Sequence, residues 1–133
     1  MIIDNPKRRL GVNKYSMSVV PACVMAEVGV AMQEGVSKYG AFNYREVSIE
    51  ATTYYDAVSR HLMAWYEGED IDVESGLNHI TKAISSLVVM RDSMMNGNMV
   101  DNRPSPAKQG WQDNLNRKVK DLNERHNKVD IEC

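Results

Sequence analysis

Cysteine, long apolar runs and an excess of positive charge are what this 133-residue chain has little of. Its two cysteines, Cys23 in an apolar stretch and Cys133 at the last position, form neither a disulfide framework nor a metal-ligand pair by spacing. Apolar runs are only a few residues long, as in LVVM at 87–90, and MIIDNPKRRL lacks the order of a signal peptide. A membrane partner is therefore not expected, and the cytoplasm is the expected location. Lys and Arg number 16 against 18 Asp and Glu, with no basic run interleaved with aromatics. That gives no field for wrapping a nucleic-acid chain, so a polynucleotide partner is not expected either.

What is present is ordinary for a folded protein: 43% apolar and 26% charged residues. The length suits one core and is small for a deep, self-contained cleft, which makes a homo-oligomer, dimer or tetramer, an expectation.

The periodicity is helical almost throughout. From Ser18, read as its cap, SVVPACVMAEVGVAMQEGVSKYG reads as a first helix with Pro21 in its first turn and Gly40 past its end. Val24, Val28, Met32 and Val36 mark its apolar face, and Glu27, Ala31, Glu34 and Lys38 line a bordering stripe. AFNYREVSIEATT connects onward, with an extended piece at VSI. A second helix is expected over 53–66, with Val58, Leu62 and Trp65 facing the core, and a third over 75–95 on Leu77, Ile80, Ile84, Leu87 and Val88. NGN at 96–98 ends it. The expected fold class is all-α: a helical domain over 1–97 with three main helices, a linker over 98–110, and an amphipathic tail helix over 111–133. Leu115, Val119, Leu122, His126 and Val129 form a narrow seam on that tail, suited to packing on another helix or subunit.

The most distinctive stretch is YYDAVSRHLMAWYEGEDIDVESGLNHI at 54–80, with six acids, two of the three histidines, one arginine and no lysine. Charges so close to apolar stripes cost free energy unless balanced, and a hard divalent cation held by carboxylates of facing helices would balance them. Glu27, Glu34, Asp56 and Glu74 are the candidate metal ligands, with His61 and His79 beside them. Each has a plainer reading. Thr53 and Asp56 have capping-box spacing, and Asp56 and Arg60 that of a surface ion pair. Glu67, Glu69 and Asp70 read as a solvated turn. Asp72 reads as a cap of the third helix, and Glu74 as a complement to that helix's positive end. His61 reads as a core histidine, His79 as a boundary one, and His126 as packed in the tail seam.

The same stretch resembles the N-terminal domain of phage dATP/dGTP diphosphohydrolases, with its RHL, GED, ESGL and histidine elements in order. KYSMSVVPACVMAEV resembles that family's first helix, and SKYGAFNYR its Lys-Tyr-Gly turn followed by an asparagine and an aromatic residue. The resemblance covers about residues 14–92. It implies a MazG-like bundle, Mg²⁺ or Mn²⁺ as cofactor, and hydrolysis of a purine deoxynucleoside triphosphate to monophosphate and pyrophosphate. This would control the nucleotide pool in a phage-infected cell. The MazG-like Glu-Glu-x-x-Glu signature is absent. Two threadings follow: Glu27 and Glu34 stand for the first acidic cluster, with Asp56 for the second; or 56–70 supplies the first, leaving Glu74 and His79 for the later ligands. Asp56, His61 and His79 are then the candidate catalytic residues, and Lys38, Tyr39, Asn43 and Arg60 the candidate phosphate and nucleotide contacts. The rival is a helical binding or assembly module without catalysis. A His-Asp-type phosphohydrolase is disfavoured, because no histidine here precedes an aspartate.

Overall fold

A computed structural model describes residues 4–132, with side chains through residue 127. In chain order the elements are α1 (Pro6–Gly11), α2 (Ala22–Tyr39), α3 (Asn43–Glu46), β1 (Ile49–Glu50), α4 (Ala51–Tyr66), α5 (His79–Met95), β2 (Met99–Val100) and α6 (Trp111–Glu132). The architecture is all-α, relieved by one short parallel pairing in which Ile49 faces Met99 and Glu50 faces Val100. The extended piece expected at VSI, 47–49, overlaps β1 at Ile49. No helix among the described residues is long and apolar enough to cross a membrane.

The chain divides into two compact units after Asn102. In the first, α5 packs against both α4 and α2. The second contains α6, on which Trp111, Leu115, Val119, Leu122 and His126 are exposed. The seam position Val129 and the terminal Cys133 lie outside the described side chains.

Several boundaries differ from the sequence expectation. Asn5 caps α1 by accepting from the Lys7 backbone N–H at 3.0 Å, with Pro6 opening the helix; no period in residues 1–17 foretold this. In α2 the cap position is Pro21 rather than Ser18, whose hydroxyl instead meets that of Ser16 at 2.8 Å. α4 begins at Ala51, so Thr53 lies inside the helix and cannot cap it with Asp56. α5 begins at His79, capped by Asn78, whose side chain accepts from Ile80 N–H at 2.8 Å. The residues before it form a turn closed by an Ile71–Asn78 bridge. Asp72 serves that turn rather than α5, accepting from the Ser75 hydroxyl at 2.7 Å and its N–H at 3.2 Å.

The buried faces also differ. The core is Val28, Ala31, Ile49, Ala51 and Ala83, joined by buried His79, Thr81, Ser85 and Ser93. On α2 the buried residues are Val28 and Ala31, whereas Val24 and Val36 are 42% and 45% exposed. Leu62 and Trp65 of α4 are 44% and 43% exposed, and Leu87 of α5 is 47% exposed. Helix separation depends on the side chains at the contact, and α5 turns short residues to its two neighbours, so small and polar positions take the places expected for large apolar ones.

Candidate functional site

A cavity of about 360 Å³ opens between the C-terminal half of α2, the α2–α3 turn and the middle of α5. Tyr39, Phe42, Tyr44 and Tyr54 give it an aromatic wall, and Asn43, Ser85 and Ser86 add hydrogen-bonding groups. Burial pushes the Tyr44 and Tyr54 hydroxyls up from their ordinary pKa, so both remain neutral donors.

The turn carrying Phe42 to Val47 is tied down from α5 and the segment after it. Gly40 closes α2 with φ +91°, and its N–H reaches Val36 O at 2.8 Å. Phe42 then adopts a left-handed backbone, φ 53°, which reverses the chain into α3. Arg45 makes a bidentate pair with Asp92 at 3.0 and 2.8 Å and lies 4.7 Å over the Phe42 ring. Asn98 donates its amide to the carbonyls of Tyr44 and, at 2.9 Å, Val47.

Glu34 is the electrostatic centre of the cavity rim. Its two carboxylate oxygens meet Lys38 at 2.9 Å and Lys82 at 2.8 Å. Lys82, and then Lys38, hold the Glu34 carboxyl below its ordinary pKa, and Glu34 raises that of Lys38. Lys38 also reaches the exposed Glu74 at 3.6 Å. Three of the sequence candidates, Glu34, Lys38 and Glu74, are thus brought together, and Tyr39 and Asn43 line the same cavity. Lys82 was missed, because a single lysine inside an apolar helical stretch carries no motif.

A second cluster lies where α4 meets the start of α5. His61 Nδ1 is 2.8 Å from His79 Nδ1, and His79 Nε2 is 3.0 Å from Glu69 Oε1. His79 is buried rather than at a boundary, and Glu69, expected only to solvate a turn, is its partner. On α2, Glu27 accepts a hydrogen bond from the Thr81 hydroxyl of α5.

Asp56 and Arg60 hydrogen-bond to neither cluster, although Arg60 acts on the neighbouring His61 electrostatically. Both are exposed, and no ion pair joins them. Among the described residues no three His, Cys, Asp or Glu side chains converge as a metal cage.

The sequence profile of a family described as "dATP/dGTP diphosphohydrolase, N-terminal" matches residues 4–103. A curated relative, the "dATP/dGTP diphosphohydrolase" of Salmonella phage PMBT28, is 31% identical over 98 residues, which are 74% of this chain and 31% of the relative. The chain thus spans about a third of that relative's length. No solved structure matches this chain.

Proposed function

The chain belongs to the dATP/dGTP diphosphohydrolase N-terminal family, and from that premise we propose that it hydrolyses a purine deoxynucleoside triphosphate to the monophosphate and pyrophosphate. The observation that carries this reading is the pair of lysines, Lys38 and Lys82, held on Glu34 at the rim of a cavity walled by aromatic rings. A purine has a flat face for Tyr39, Tyr44 or Tyr54, and Asn43 offers donors and an acceptor to its edge. The ammonium groups suit the phosphate oxygens of the same ligand, because each is a compact charge with three donors.

Mg²⁺ or Mn²⁺ accompanies the triphosphate in this proposal. Magnesium is commonly held by one or two carboxylates together with substrate phosphates, so a three-residue protein cage is not required. Glu27 fits that role, since no cation among the described residues balances it. Glu34 and Glu74 stand near the same phosphates, and Asp56 enters only if the bound state moves it. When bound, the ion supplies neutralisation of phosphate charge and a more acidic water. The chain's own residues orient the base, grip the phosphates and receive the proton of the attacking water. The setting we assign is the host cytoplasm, with the purine nucleotide pool as the quantity controlled.

We also propose that the chain works as a homo-oligomer, a dimer or a tetramer. Met63 and Tyr66, one helical turn apart on α4, are 67% and 81% exposed, and apolar surface left open in this way suits an interaction face. Solution mass measurement tests it: a mass of 15.0 kDa at working concentration rejects assembly.

The function is tested by product analysis with each common NTP and dNTP, with Mg²⁺, Mn²⁺ or chelator. Monophosphate plus pyrophosphate, strongest with dGTP or dATP and lost with chelator, is the expected result. Release of intact triphosphate would point to His-Asp-type chemistry, and no turnover at all to a helical binding module.

A further inference from the structure

A continuous hydrogen-bonded line joins Glu69, His79 and His61 across three segments of the chain. Glu69 is a carboxylate and only accepts, so His79 Nε2 carries the hydrogen of that 3.0 Å contact. A neutral imidazole has one N–H, which leaves His79 Nδ1 as a lone pair. The 2.8 Å contact between the two Nδ1 atoms then needs its hydrogen on His61. It follows that His61 Nε2 bears a lone pair, and no described residue hydrogen-bonds to it.

The buried partner is well fixed. His79 is 5% exposed, its backbone N–H donates to the Asp70 carbonyl at 2.9 Å, and the two rings lie 5.1 Å apart at 48°. The charged and titratable groups acting on His61 are His79 and Lys82 of α5, Arg60 of α4, and Asp72 of the preceding turn. Burial, then His79, lowers the pKa of His61, and Asp72 opposes them. The ring is neutral near pH 7.

We propose that Nε2 of His61 is the base that takes the proton of the attacking water, and that Glu69, acting through His79, is the positioning residue that keeps this atom free. The proposal rests on the hydrolytic reading above. As the water oxygen bonds to the α-phosphorus, the bond from phosphorus to the pyrophosphate oxygen breaks and its electron pair leaves with pyrophosphate. The proton of the water goes to His61 Nε2. The Nδ1 proton of His61 crosses to His79 Nδ1, so that His61 is neutral again and the positive charge rests on His79 beside the Glu69 carboxylate. The arrangement follows the general logic in which a third group orients a base and stabilises the imidazolium that forms.

The test uses the full chain labelled with ¹⁵N-histidine. Above the histidine titration range, long-range ¹H–¹⁵N spectra are expected to show His61 protonated at Nδ1 and bare at Nε2, with His79 protonated at Nε2. A hydrogen on His61 Nε2 under those conditions overturns the proposal, whether or not nucleotide is hydrolysed. Kinetically, His61→Gln is expected to lower kcat about 100-fold or more with KM within about twofold. Glu69 is half in solvent, so Glu69→Gln should fold; it is expected to move the acid limb of the kcat profile to lower pH, with Glu69→Asp restoring it. An acid limb that stays in place in Glu69→Gln overturns the positioning role. If the unaltered protein hydrolyses no nucleotide, the functional reading fails instead, and the histidine spectrum tells the two failures apart.

Discussion

Lys82 of α5 donates to Glu34 of α2 at 2.8 Å, and this contact joins two helices whose contributing residues lie 48 positions apart. Because Lys82 and then Lys38 lower the Glu34 pKa, the sign of the pH effect follows. A carboxyl whose pKa is depressed on folding adds stability that is complete above its unfolded value, about 4.3, and is lost as pH falls through the lower folded value. Thermal melts from pH 7 to pH 3 should therefore show an acid loss that is smaller in Glu34→Gln. Parallel curves for the two proteins would show that Glu34 does not contribute to the acid loss.

Lys82→Met tests the phosphate grip without emptying the helix interface, since the methylene stem is kept. The expected result is a KM for the nucleotide raised about tenfold, equivalent to ~1.4 kcal/mol, with an unchanged circular dichroism spectrum. A KM equal to that of the parent protein would mean that Lys82 serves only to hold α2 and α5 together.

Asn98→Ala removes the amide that serves both Tyr44 O and Val47 O. Leaving such carbonyls short of a donor costs about 1–3 kcal/mol, and the turn that carries the cavity's aromatic wall should loosen. Hydrogen exchange over residues 42–50 should quicken by more than exchange in α4. Uniform acceleration of both segments would show a global rather than a local effect.

Ala83 is 3% exposed and sits where α5 is enclosed by its neighbours. Ala83→Leu is expected to cost about 1–3 kcal/mol through overpacking. Chemical denaturation would register this as a lower midpoint at unchanged slope. A neutral result would show that the helices can separate at little cost.

Asp56 is exposed and has no partner within the described chain, so Asp56→Asn should leave the melting temperature unchanged. Lost turnover with retained stability would place this carboxylate in the chemistry, through movement or through a second copy. Retained turnover would exclude it.

Much of the fold was legible because helix periodicity and chain-ending residues are local properties. Gly40, with its N–H closing on Val36 O, and the α4 end just before Gly68 follow from the conformational freedom of glycine. The placement of burial was not legible. Val24, Leu62 and Leu87 carry the strongest apolar signal, yet Ala31, Ala83, Ser85 and Ser93 are the buried positions. Periodicity marks which residues share a face of one helix and is silent on how closely the next helix approaches.

The candidate site divides the same way. Residues 54–80 show from composition alone that acids and imidazoles are concentrated in one stretch of the chain, yet the length of α4 lets the fold disperse them. Which of them touch is a matter of three dimensions. The Glu69 carboxylate reaches the His79 ring whereas Asp70 meets His79 through its backbone carbonyl, Glu34 finds a lysine 48 residues away, and Asp56 faces solvent. A hydrogen bond is made or lost within about half an ångström. Such distances are set by the packing of α5 against two helices at once, which no single stretch of this chain encodes.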